Sequence, residues 1–236
     1  MTRSDLQTPQ VTLLALFVTA LVTAQVTAAK VLAFEVPVSL PVAGSTLVLP
    51  GAALAYALTF FASDCYAELY GRRAAQVMVN VAFLMNFVLL ALVWSTILAP
   101  AAPNSPDPAT FRQVLGSSTS IVVGSLVAYL VSQNWDVFVF DWLREATGGT
   151  HLWLRNLAST ATSQLLDTVI FVSLAFLVVP RVLGTGDPLP LSVVGSLIVG
   201  QYLLKLAIAV LDTPFVYGVV AFVRSRRSSP DAYVAG

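Results

Sequence analysis

The sequence predicts an all-α integral membrane protein with six transmembrane helices, and three observations carry that reading. Of its 236 residues, 57% are hydrophobic and 10% are charged, where soluble domains carry about a quarter charged residues. Its mean hydropathy is +0.83. Apolar runs of spanning length recur at 11–34, 51–70, 74–98, 117–143, 152–179 and 191–223, each long enough for a hydrocarbon core of about 30 Å at about 1.5 Å per helical residue. One membrane domain, 1–236, accounts for the length.

The run 11–34 is too long for the apolar core of a signal peptide and follows a weakly charged start. It reads as an uncleaved first span, with Lys30 near its end reaching for the interface. The segment VPVSLPVAGSTLVLP that follows alternates, is broken by proline and contains Ala43-Gly44. A short extracellular hairpin fits it better than a helix does. The proline-rich stretch 100–108 reads as a loop. In the sixth run, Pro214 removes one helix hydrogen bond and loosens the turn at Asp212.

Arginine sets the orientation. With the N-terminus inside, Arg3, Arg72, Arg73, Arg144, Arg155, Arg224, Arg226 and Arg227 are cytoplasmic, against Arg112 and Arg181 outside. This positive-inside bias places both termini in the cytoplasm, in the inner membrane of a cell.

The fifth run is the least lipid-like. At about 100° per residue, Asn156, Ser159, Thr160, Ser163, Gln164 and Asp167 fall within an arc of about 140°, and the leucines and valines fall outside it. Such a face lines a cavity or meets other helices. The fourth run carries Ser132-Gln133-Asn134-Trp135-Asp136 and the fifth Ser163-Gln164-Leu165-Leu166-Asp167, a shared S-Q-x-x-D. These runs are antiparallel, so the copies can face each other. Six spans also divide into three plus three, the pattern of an inverted repeat; chance or simple helix packing is the alternative.

Further ionisable groups lie inside the runs. Asp64 and Glu68 are one turn apart, a spacing at which carboxylates repel unless one is protonated or a cation intervenes. Lys205 and Asp212 are two turns apart on one face. A lysine at that depth is most cheaply explained by an ion pair with an aspartate. Asp64, Gln133, Gln164 and Asp167 are expected around a common hollow. Each of these groups also has a plain structural explanation, as interfacial charge or as polar glue between helices.

Several chemistries are disfavoured. Equal numbers of acids and bases argue against a nucleic-acid surface. The single Cys65 and single His151 make no internal disulfide, zinc or haem site. No glycine-rich phosphate loop opens a helix. No nucleophile–base pair is visible, so no enzymatic activity and no cofactor are expected. A cavity with carboxylates, amides, hydroxyls and rings such as Tyr56, Phe60, Phe61, Tyr66, Trp135, Phe138 and Phe171 suits a small planar polar molecule. Gly116, Ser120 and Gly124 fit either a helix interface in a homodimer or internal packing.

The stretches FFASDCYAELYGRRAA (60–75), SQNWDVFVFDWLRE (132–145), WLRNLASTATSQLLDTVIFVSLAF (153–176) and GQYLLKLAIAVLDTPFVYGVV (200–220) together resemble the queuosine precursor, or vitamin uptake, transporter family. The patterns D-x-x-x-E-x-Y-G, S-Q-x-x-D, R-N-x-x-S-T-x-x-S-Q-x-x-D and K-x-x-x-x-x-x-D-x-P are specific jointly, and the likeness covers the chain from the second run onward. The resemblance implies a six-span carrier importing 7-deazaguanine bases: 7-cyano-7-deazaguanine, 7-aminomethyl-7-deazaguanine or queuine. Read with it, the substrate-binding candidates are Asp64, Glu68, Gln133, Asp136, Asn156, Ser159, Thr160, Gln164, Asp167, Lys205 and Asp212. Asp167 or Asp64 would accept the paired N–H donors of the base, and a coupling proton would be handled by Asp64, Glu68, Lys205 and Asp212. Two rival classes are a substrate-binding subunit energised by a separate ATPase complex and a membrane-embedded enzyme.

Overall fold

The computed structural model describes residues 7–184 and 186–228; Arg3, used above for orientation, lies outside them. Helix α1 (Thr8–Thr27) leads into an antiparallel hairpin of β1 (Val31–Leu40) and β2 (Gly44–Pro50). Then come α2 (Ala53–Tyr70), α3 (Arg72–Leu98), α4 (Pro108–Gly116) and α5 (Ser118–Ala146). Helix α6 (Leu152–Ser173) continues through a π turn, Leu174–Val178, into α7 (Val179–Leu183), and α8 (Leu191–Leu211) and α9 (Thr213–Ser228) complete the chain. Among the described residues, five helical rods are long and apolar enough to cross a membrane: α1, α3, α4 with α5, α6 through α7, and α8 with α9. This is a multi-pass, predominantly helical membrane protein. The second predicted span, α2, is a full 18-residue helix, but Asp64, Glu68 and its tyrosines dilute its hydropathy below that of the other five.

Local chemistry sets the breaks. Gly71 alone turns α2 into α3: it sits at φ 90°, where a side chain would be strained, and its N–H caps Ala67 at 2.8 Å. Asp107 starts α4 by accepting from the Thr110 N–H and hydroxyl, both at 2.8 Å, and those bonds hold its carboxyl below the usual carboxylate range. Pro180 explains the π turn. Its ring would clash with the Phe176 carbonyl four residues earlier; the wider turn relieves this, and that carbonyl accepts from Leu189 N–H at 2.9 Å. Pro214 likewise divides the last rod, at Asp212.

Two apolar clusters fill the interior. One joins Leu13, Phe17 and Leu21 of α1 to Cys65 and Tyr66 of α2, Met78 of α3 and Val216 of α9. The other joins Ala24 and Ala28 to Ile121, Phe171, Val172 and Leu197. The hairpin does not stand free of the bundle. Strand β2 lies on α8, where the backbone of Gly200 touches the Val48 carbonyl so closely that a Cβ could not fit between them. The tip residue Val42 sits over Gly195, at 3.1 Å from where a Cβ would be. Lys30 falls in the turn after α1, exposed, and its carbonyl accepts from Gly51 N–H at 2.6 Å.

Gly200→Ala is expected to lower the unfolding midpoint of the detergent-solubilised protein, by about 1–3 kcal/mol of stability. Gly218→Ala, at a position with open space around it, is the control and leaves the midpoint unchanged or slightly raised.

Candidate functional site

The site grows from the contact between α5 and α6. Gly124 lets these helices approach closely: a Cβ there would lie 3.0 Å from the Ala175 Cβ and 3.2 Å from the Phe171 carbonyl. The small residues weighed as a dimer interface are therefore used inside the chain at this point. In the same antiparallel register, Ser132 Oγ donates to Asp167 Oδ1 at 3.2 Å and Ser163 Oγ donates to Asp136 Oδ1 at 3.1 Å. Each S-Q-x-x-D segment thus offers its serine to the other's aspartate.

Asp167 has a second partner. Lys205 Nζ on α8 donates to Asp167 Oδ2 at 2.5 Å, with side-chain exposures of 3% for the lysine and 17% for the aspartate. The ammonium also lies 5.6 Å from the centre of the Tyr56 ring. An ion pair this deep persists because each charge has the other and a further polar neighbour.

Beside this pair is a cavity with about 90 Å³ of internal space, bounded by α1, α2, α3, α5, α6 and α8. Asp167 lines it, with Gln25, Gln201, Ser125, Tyr56, Tyr129, Phe83 and Phe171. Gln25 and Gln201 are only 2% and 6% exposed, and the side-chain oxygen of each is buried with no hydrogen-bond partner. Such acceptors are costly unless something donates to them. One wall is rigid. Phe83 stacks on Tyr129 with centroids 4.5 Å apart, and the Tyr129 hydroxyl is held by Asn80 at 2.9 Å and Gln76 at 2.7 Å. Flat rings, bare amide oxygens and a partly engaged carboxylate can hold a planar molecule rich in N–H groups.

The other candidates lie elsewhere. Asp64, Glu68 and Asp212 form a separate acidic group at α2 and α9, in which Asp64 feels the charges of both others. Arg224 bonds the Glu68 carbonyl at 3.0 Å and stands 3.9 Å from its carboxylate. Gln133, Asn156 and Thr160 are exposed. Ser159 is buried, its hydroxyl turned back to the Asn156 carbonyl at 3.3 Å. Gln164 is half-buried and holds a buried oxygen without a partner. Of the four residues expected around one hollow, Asp167 alone lines this cavity; Asp64, Gln133 and Gln164 do not.

Sequence reasoning missed Gln25 and Gln201. Gln201 had a signal: it stands one turn before Lys205, on the same face. Gln25 had a fainter one, as the single amide inside the apolar core of the first run.

The model of a family described as "Putative vitamin uptake transporter" matches residues 50–219. The chain belongs to the vitamin uptake transporter family. A protein of Bacillus subtilis (strain 168) named "Probable queuosine precursor transporter" is 31% identical over 176 residues, 74% of this chain and 73% of that one. No solved structure matches significantly. The family match takes in every cavity helix except α1, and with it Asp167, Gln201 and Lys205.

Removing one partner of the central pair leaves a buried charge alone. Lys205→Met is expected to cost about 3–5 kcal/mol, and Lys205→Met with Asp167→Leu to recover most of it. Unfolding midpoints of the two variants in detergent check this.

Proposed function

We propose that this chain carries 7-deazaguanine bases, precursors of queuosine, inward across the cytoplasmic membrane. The Asp167 cavity is the observation that carries the reading. Its acceptors, Gln25 Oε1, Gln201 Oε1 and the spare lone pairs of Asp167, match the donors of a deazaguanine: the lactam N–H, the exocyclic amino group and the pyrrole N–H. Its rings offer faces for the bicycle, Phe83 and Tyr129 on one wall. The name of the Bacillus subtilis relative points to the same cargo.

In this scheme both termini are cytoplasmic, α2 is the sixth span, and the hairpin closes the extracellular side. The polar groups below the cavity then mark the way out to the cytoplasm. Gln133, Asn156 and Thr160 are exposed where lipid would solvate them poorly, so they line a water-filled vestibule with Asp136, Ser159 and Gln164 along its wall. The reciprocal serine–aspartate bonds make α5 and α6 a locally two-fold pair, a symmetry distinct from a three-plus-three repeat, which would place both helices in the same half. Asp64, Glu68 and Asp212, whose like charges gather at α2 and α9, hold the coupling proton.

Uptake of labelled base by the purified chain alone in liposomes is the test. Gln201→Leu is expected to cut the initial rate about tenfold, the loss of roughly one hydrogen bond, with insertion unchanged; Asp167→Asn is expected to cut it at least as far and also to lower stability, because it leaves Lys205 unpaired. Uptake that appears only on adding an ATPase complex would favour the subunit reading. Indifference to an uncoupler would remove the proton while leaving the carrier.

A further inference from the structure

The cavity's charge is already balanced, and that limits what it can hold. Among its lining residues, Asp167 is the one that carries a formal charge, and Lys205 neutralises it at 2.5 Å. The remaining polar groups are amides and hydroxyls, from Gln25, Gln201, Ser125, Tyr56 and Tyr129. Other carboxylates of the helices are not among the lining residues: Asp136 takes the Ser163 hydroxyl, and Asp64 and Glu68 on α2 share their surroundings with Asp212.

A cation entering this space loses its water and finds no free counter-charge, a cost that burial makes large. Its nearest carboxylate already holds an ammonium, so the newcomer also meets like charge. A neutral molecule suffers neither penalty. Its N–H groups still find the two unpartnered amide oxygens of Gln25 and Gln201.

We infer that the cavity selects an uncharged base, one with a neutral substituent such as a nitrile on its five-membered ring, over the same bicycle bearing an alkylammonium group, and that Lys205 sets this preference through Asp167. This rests on the deazaguanine reading above. Lys205 does not line the cavity; it acts as a positioning and neutralising residue, and the preference between two cargoes reports that role where stability does not.

The test is a pair of titrations on the purified full-length chain at neutral pH, with 7-cyano-7-deazaguanine and 7-aminomethyl-7-deazaguanine as probes. The nitrile base is expected to bind at least about tenfold more tightly. In Lys205→Met the Asp167 carboxylate is released, and the ratio shifts toward the amine by about tenfold or more. A general loss of folding would weaken both probes alike and leave their ratio unmoved. Equal affinities, or a preference for the amine, in the wild-type chain would overturn the inference while the carrier reading stands, and an unmoved ratio in Lys205→Met that still binds both probes would overturn the role given to Lys205. Binding of neither probe would overturn the deazaguanine reading and this inference together.

Discussion

A lysine and an aspartate held together at the crossing of α6 and α8 are the constraint on which this molecule turns. Neither charge is tolerable at that depth alone. Together, with Ser132 bonded to the free side of the carboxylate and the Tyr56 ring beside the ammonium, they tie α5, α6, α8 and α2 at one level. The cavity lies against this knot, so the groups that fix the helices also fix one of its walls. Under the proposed function, stability and recognition would use the same carboxylate.

The contact between α5 and α6 is built symmetrically, yet its chemistry is not symmetric. Both aspartates of the S-Q-x-x-D segments accept a serine from across the contact. Only Asp167 goes on to pair with a lysine and to line the cavity. The two sides of the contact thus differ, and the residue that makes the difference, Lys205, comes from a third helix.

How much of this the sequence revealed follows from what kind of signal each feature leaves. Length and hydropathy marked the helices, because burying unpaired backbone in lipid leaves little choice. Asp167 and Lys205 stood out because charge is rare in such runs; cost alone said that the lysine pairs with an aspartate, but not that the partner is Asp167 rather than Asp212 on its own helix face. The shared S-Q-x-x-D foretold a meeting of α5 and α6. Gln25 and Gln201 did not stand out, since a lone amide in a span is equally consistent with helix glue; only the crossing of α1 and α8 around one space gives them a role. Asp64 and Gln133 went the other way. Their residue types suited a binding site, but periodicity fixes a side chain's direction only within its own helix, not which neighbour that face meets. The hairpin was legible as strands, while its seat on α8 was not, because a glycine in an apolar run carries no mark of what approaches it.

That seat has a consequence for how the molecule is put together. Val48 and Gly200 are far apart along the chain, so the hairpin emerges from the ribosome long before the surface it rests on exists. Helix α8 brings Gly200, Gln201 and Lys205 on adjacent turns, and its arrival supplies the strand with a floor, the carboxylate with its counter-ion and the cavity with a wall. Until then Asp167 waits without its cation and the strands without support. The polar interior is therefore completed late in synthesis, and an arrest before α8 leaves a nascent chain with its most expensive groups still open to water or to quality control.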